Sequence, residues 1–385
     1  MDIQRILKMK LPPKQSAFLW GPRKTGKTTY LKGCFPKSLV YDFLDTKLFL
    51  EFSKRPFLLR EQLLEKEKTK LKSPVILDEV QKVPQILDEV QSLIVNHGVQ
   101  FILCGSSARK LKRGQANLLG GRAWRYEMHP LVTAEVGACK LLKILNGGML
   151  PDHFLQADPR KSLQSYVQDY LKEEVFEEGL TRNIPAFSRF FDAAGYSHSE
   201  LINYSNIARD CGVNSKTVRE YFQILCDTLL GYLIEPFKKR QSRQVIGKAP
   251  KFYFFDVGVA GIITKRTLVE ERGSEFGRAF EHFILTEILA YRSYCSLDFN
   301  LHFWRTKTGL EVDFILGDAE VAIEVKGSPF VDSREFKSLR AFKDEFKVKQ
   351  TFIVSNETSP RLSDGIRVLP WKVFLEELWA GKVIH

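Results

Sequence analysis

Eight consecutive residues, Gly21-Pro22-Arg23-Lys24-Thr25-Gly26-Lys27-Thr28, place two glycines, a lysine and a hydroxyl at the spacing GxxxxGK[ST]. Gly21 and Gly26 let a backbone wrap closely around phosphate oxygens. Pro22, Arg23, Lys24 and Thr25 complete the loop, and Thr29 continues it into a helix whose N-terminus carries partial positive charge. Lys27 is expected to reach the β- and γ-phosphates of ATP, and Thr28 to hold Mg²⁺. The loop follows the apolar run SAFLW, the strand–loop–helix context that such a motif needs. About fifty residues on, the strand-like Pro74–Leu77 ends in Asp78-Glu79. Asp78 is read as binding Mg²⁺ through water and Glu79 as the general base for the attacking water. A further apolar run, Phe101–Cys104, leads into Gly105-Ser106-Ser107. Ser106, with Ser107 close behind, could lie between the two motifs and sense the γ-phosphate, or simply form a turn or helix cap. Arg122, after Gly120-Gly121, could be an arginine finger given to a neighbouring copy or a surface arginine.

A second set lies near the other end. Residues 311–327 read EVDFILGDAEVAIEVKG, a β-hairpin pattern with its turn at Gly317-Asp318. Alternation puts Glu324 and Lys326 on one face of the second strand, with Asp313 on the first. Asp…Glu-x-Lys is the arrangement of PD-(D/E)XK nucleases. Asp313 and Glu324 could bind Mg²⁺ with a scissile phosphate, and Lys326 could stabilise the transition state. Glu281, in the helical stretch GRAFEHFILTEIL, matches the extra helical acid that such nucleases often carry and could be a third ligand for that ion. The competing reading of Glu-x-Lys is an exposed strand pair.

Between the two sets, residues 198–236 read as a helix-turn-helix. The segment Asn206–Asp210 gives the first helix, Cys211-Gly212-Val213 the turn, and Lys216–Asp227 the second helix, capped by Asn214 or Ser215. Lys216, Thr217 and Arg219 then face outward where DNA contacts are made. A basic run follows in which Lys238, Lys239, Arg240, Arg243, Lys248 and Lys251 carry no acid among them, suited to a phosphate-contacting wing. Protein–protein contact is the alternative for this module.

These residues need elements to hold them. Strands are expected at Ser16–Trp20, Ser38–Tyr41, Pro74–Leu77, Gln100–Cys104 and Ala123–Met128, alternating with amphipathic segments as in α/β proteins. A helix near 275–293 precedes strands at 300–306, 311–316 and 320–325. The fold class is α/β, divided as 1–130 a P-loop ATPase core, 131–197 a helical lid, 198–245 a winged helix and 246–385 a nuclease-like domain. The chain has 385 residues, 44% of them hydrophobic and 27% charged, which excludes global disorder. Its six cysteines are scattered without metal-ligand spacing and read as reduced thiols. No run of about 18 apolar residues occurs and the start lacks a secretory pattern, so a cytoplasmic location and no membrane partner are expected. Lys and Arg total 58 against 46 Asp and Glu, a net charge of +12 that favours an acidic partner.

The motifs WGPRKTGKTT, VILDEVQKVPQILDEVQSLI, FILCGSSARKL, LLGGRA and HPLVTAE, in that order, resemble the AAA+ ATPases of bacteria and archaea that carry a C-terminal domain of unknown function. The likeness continues through Gly147–Pro151 and YVQDYLKEEV at 166–175. Cys104 departs from it, where Thr is usual before Gly-Ser-Ser. The resemblance implies an AAA+ fold, a helical lid after residue 131, a homo-oligomer and, at Arg122, the finger. The leading expectation is an ATPase whose nucleotide state is coupled to a DNA-binding or DNA-cleaving C-terminal half. The alternatives are an ATP-driven oligomerisation switch that binds protein or DNA without cleavage, and a toxin-like nuclease held inactive by ATP state.

Overall fold

Parallel strands need long crossovers, and the first 130 residues supply them. The computed structural model describes residues 3–66, 73–106, 119–156, 158–171 (without the side chains of 169–171), 183–238 and 249–385. Ser107, Arg109, Lys110, Lys112, Arg113, Lys239, Arg240, Arg243, Lys248 and much of the 166–175 motif lie outside the described residues. The described residues form two compact units.

The first unit comprises Gln4–Pro130 and Asp227–Leu230. Its strands are β1 (Ser16–Trp20), β2 (Val40–Asp42), β3 (Val75–Asp78), β4 (Phe101–Gly105) and β5 (Ala123–Glu127), in the order β2-β3-β4-β1-β5 and all parallel. Helices Lys27–Cys34, Thr46–Lys54, Leu58–Glu65 and Ile86–His97 form the crossovers. Strands covered on both sides read as continuous apolar runs, and β1, β3 and β4 are buried at every residue. Phe18, Trp20, Leu77, Leu103 and Val90 belong to this core. After β1 the chain crosses to the far edge, returns through β3 and β4, and then passes beyond β1 to β5. That reversal makes the C-terminal ends of β1, β4 and β3 the expected ligand edge.

The second unit comprises Met1–Ile3, Leu131–Cys226 and Gly231–His385. It holds an eight-stranded mixed sheet in the order β12-β13-β11-β10-β9-β8-β6-β7. The strands are β6 (Gly231–Pro236), β7 (Lys251–Phe254), β8 (Leu301–Arg305), β9 (Glu311–Leu316), β10 (Val321–Lys326), β11 (Gln350–Ser355), β12 (Arg361–Ser363) and β13 (Ile366–Pro370). Helix Ser274–Tyr294 lays Phe276, Phe280, Phe283 and Ile284 into a large core with Phe314, Ile323 and Phe352. β6 and β7 pair antiparallel, so a boundary at 245 would pass between two paired strands. Helices Ile184–Tyr196, Tyr204–Cys211 and Ser215–Asp227 pack through aromatic edges such as Phe190 against Phe222 at 4.8 Å. Gly212 takes φ 67° between the last two, and the Asn214 side chain accepts from the Thr217 amide at 2.8 Å, so Asn214 is the cap. Phe222 also meets Phe252 of β7 at 5.0 Å, which ties these helices to the sheet of the same unit.

Candidate functional site

The P-loop leaves the end of β1 and is held mainly by backbone. Lys24 and Gly26 take φ 69° and 87°, turning the chain sharply before the helix that starts at Lys27. At Gly21 a Cβ would lie 2.5 Å from the Met128 carbonyl oxygen, so a neighbouring backbone, besides any phosphate, requires glycine there. Thr25 is fully buried and its hydroxyl donates to the Pro22 carbonyl at 2.8 Å. Arg5 braces the loop from outside the motif. Its guanidinium donates to the carbonyls of Thr25 and His129 at 2.7 Å and of Pro130 at 3.2 Å. Lys27 is buried, and its ammonium donates to the Gly21 and Pro22 carbonyls at 2.7 and 3.0 Å.

Asp78 ends β3 and Glu79 follows it, both buried. The Thr28 hydroxyl donates to Asp78 Oδ2 at 2.7 Å, across fifty residues of sequence. A hydroxyl beside a carboxylate is a hard oxygen pair of the kind that fits Mg²⁺. Ser106 follows β4, which lies between β1 and β3, so the three motifs meet on one sheet edge. Cys104 is buried beside them, and burial followed by the Asp78 charge pushes its thiol well up, keeping it protonated. Arg122 and Lys24 are exposed at the surface of this unit.

The C-terminal set is also brought together, by side chains. The β9–β10 ladder pairs Val321 to Ile323 with Leu316 to Phe314. Just beyond, the Val325 amide donates to Asp313 Oδ2 at 2.7 Å. Lys326 donates to Glu324 Oε1 at 2.6 Å, while Glu324 Oε2 is buried without a partner among the described residues. Burial, then the neighbouring Glu324 and Glu281, pushes the Asp313 carboxyl well up. Burial likewise raises Glu324 to about 7, against the opposing pull of Lys326.

Lys251 requires a correction. It is 4% exposed, on β7, and so does not belong to a solvent-facing basic wing. Its ammonium bridges Glu281 at 3.3 Å and Glu311, and Arg305 reaches Glu311 at 3.1 Å. Tyr253 donates to Glu281 as well. Burial alone would lower Lys251, but Tyr253 and the carboxylates of Glu281, Glu311 and Asp313 outweigh it and hold the amine charged. Glu281 is therefore engaged by a lysine and a tyrosine. Among the described residues no group of three or more His, Cys, Asp or Glu side chains is arranged to hold a metal ion. Asp313 and the orphaned Glu324 oxygen remain as a two-carboxylate set, which fits a divalent ion that takes its other ligands from water or phosphate.

Lys216 and Lys238 are exposed and Thr217 is half-buried. Arg219 is exposed as well, with its guanidinium 3.9 Å from the centre of the Tyr204 ring. A feature that sequence reasoning missed is a cavity of about 520 Å³ lined by Thr133, Cys139, Trp371 and Trp379. Behind it the carboxylate of Glu287 accepts from the Thr133 amide and the Trp379 indole, and burial raises it to about 7.

No helix among the described residues is long and apolar enough to cross a membrane. Residues 140–268 match a domain of unknown function, DUF8612, and residues 276–374 match another, DUF4143. Two mycobacterial proteins, described as uncharacterized proteins of Mycobacterium bovis and Mycobacterium tuberculosis, are each 26% identical over 326 residues, covering 81% of this chain and 68% of theirs. Among solved structures, the Aeropyrum pernix ORC1 protein in complex with DNA aligns with 65% of this chain and 86% of its own at 12% identity and a TM-score of 0.24. A Pyrococcus horikoshii signal-transduction ATPase with numerous domains aligns with 73% of this chain and 47% of its own, at 14% identity and a TM-score of 0.20. Superpositions that loose carry no argument. Residues 13–137 match the AAA domain family, a stretch that holds the phosphate loop, Asp78, Glu79 and Ser106, and the chain thus carries an ATP-binding AAA-type domain.

Proposed function

We propose that this protein hydrolyses ATP with Mg²⁺ at the β1–β4–β3 edge and that its nucleotide state governs a nucleic-acid-binding C-terminal region. The observation that carries the reading is the Thr28–Asp78 contact of 2.7 Å, with Lys27 and Glu79 beside it. Lys27 would exchange its loop carbonyls for the β- and γ-phosphates, and Glu79 would take the proton of the attacking water. Arg122 is exposed, as an arginine offered to the site of another copy in a homo-oligomer must be. The test is ATP turnover by wild type and Lys27→Ala, with and without DNA. Turnover should vanish in the variant and rise with DNA in the wild type. Unchanged turnover in Lys27→Ala would refute the site.

For the C-terminal region, DNA binding draws support from exposed Lys216 and Lys238. Replacing both with Gln should weaken DNA affinity and flatten its salt dependence by roughly one to two units of log–log slope. A salt-insensitive affinity would argue for a protein partner. Cleavage by Asp313, Glu324 and Lys326 is the finer reading, tested by nicking with Mg²⁺ or Mn²⁺ and its loss in Asp313→Ala. A second reading, an ATP-driven switch that binds without cutting, is favoured by one observation. Lysines already pair Glu324, Glu281 and Glu311.

A further inference from the structure

Gln81 sits in the short helical turn Val80–Lys82, directly after Glu79, and is 5% exposed. Its amide nitrogen donates to Glu79 Oε2 at 2.6 Å and to the Ser106 hydroxyl at 3.1 Å. The carboxylate fixes which way the amide points, because only the NH₂ end can donate to it. Gln81 Oε1 therefore faces away, and it is buried without a partner among the described residues. It lies against Gly105, where a Cβ would approach Oε1 to 2.1 Å. The missing side chain at 105 is what makes room for the amide. Glu79 itself takes φ 53° and ψ 42°, a left-handed conformation that is costly for a side chain of this kind.

We propose that Gln81 is a positioning residue that ties the Glu79 carboxylate to the Ser106 hydroxyl, so that γ-phosphate contact at Ser106 is transmitted to the group that activates water. The proposal rests on the roles given above to Glu79 and Ser106. One amide nitrogen serves both groups, so neither can move without changing the bond to the other. A phosphate oxygen that accepts from the Ser106 hydroxyl draws that hydroxyl toward itself, and the Gln81 amide bonded to it passes the shift to Glu79.

Gln81→Met removes the amide while keeping length and apolar bulk. In the full chain we expect affinity for a fluorescent ATP analogue and for ADP to stay within about twofold of wild type. The turnover number should fall by about a hundredfold, the scale expected when a reacting group is misplaced by about an ångström. Affinity for ADP with aluminium fluoride, which mimics the transferring phosphoryl group, should fall alongside turnover. Gly105→Ala, which displaces the amide without deleting it, should give the same split, and the double variant should be no worse than either single one. Wild-type turnover in Gln81→Met would overturn the proposal. So would equal losses of ADP and ADP–aluminium fluoride affinity, because those would mark a merely structural role. Failure of the underlying site looks different: a wild type that neither binds nor hydrolyses ATP, or Lys27→Ala binding as wild type does, refutes the P-loop reading and this proposal with it.

Discussion

The two lysine-bearing sites differ in what their lysines hold. Lys27 rests on the Gly21 and Pro22 carbonyl oxygens, whereas Lys326 rests on Glu324 and Lys251 on Glu281 and Glu311. A carbonyl is a neutral partner that an incoming phosphate replaces at little cost. A buried carboxylate is a charged partner, and taking its lysine away leaves an uncompensated charge. The N-terminal site is therefore poised for an anion by its backbone, while the C-terminal site has already neutralised itself. A ligand for the latter must displace an ion pair or bring a cation of its own.

The largest effect should come from Lys251→Met. Breaking a buried charge pair typically costs about 3–5 kcal/mol, and here Glu281 would keep only the Tyr253 hydroxyl and Glu311 only Arg305. Chemical denaturation should show that loss, with ATP-analogue binding retained where the protein stays folded. Lys27→Met should change stability far less, since it frees only carbonyls while abolishing nucleotide binding. Equal stability losses in the two variants would break the comparison.

The next effect is a pH dependence. The Glu324 carboxyl is raised to about 7, chiefly by burial. A carboxyl raised on folding binds its proton more tightly in the native state, so the contribution of Glu324 to stability is greatest below about pH 4.5 and falls as pH rises to about 7. Glu324→Gln should remove that contribution, leaving those of Asp313 and Glu287, whose carboxyls are raised too, and so flatten the slope and stabilise the protein above pH 7 by on the order of 1–3 kcal/mol. Denaturation midpoints between pH 4.5 and 8 check it. A variant whose slope matches wild type would show that Glu324 is not the source.

The same contrast explains what could be read beforehand. The P-loop is contiguous, so eight adjacent residues state both a turn and its chemistry. Strands β1, β3 and β4 of the parallel sheet are short apolar runs, and all five of its strands were legible to within about two residues. The hairpin of Asp313, Glu324 and Lys326 followed from period-two alternation and the Gly317-Asp318 turn. Lys251 was misread because charge was counted along the chain; the apolar Phe252–Phe255 directly after it was the available signal of a buried strand. Gln81 reaches Ser106 over 25 residues and Arg5 reaches His129 over 124, and no local pattern encodes such pairs. Glu287 lies on the buried face of a long helix, where spacing suggests core and conceals a carboxyl.

Arg5 supplies the smallest test and the sharpest one for the N-terminal site. Its three acceptors are carbonyls of the buried residues Thr25, His129 and Pro130, while Arg5 itself is half-buried. Water entering the space that a half-buried side chain leaves can meet them, so Arg5→Ala should cost only about 1–2 kcal/mol in stability. The effect on nucleotide should be disproportionate if backbone geometry is what readies this site. Thr25 stands directly before Gly26, and releasing its carbonyl loosens the turn that aims the loop amides. ATP-analogue affinity should drop by roughly three- to tenfold, at the scale of one lost hydrogen bond, with its salt dependence unchanged. An Arg5→Ala protein that binds nucleotide as wild type does would mean the motif holds its own shape. A loss that grows at low salt and vanishes at high salt would mean that Arg5 acts through its charge rather than as a brace.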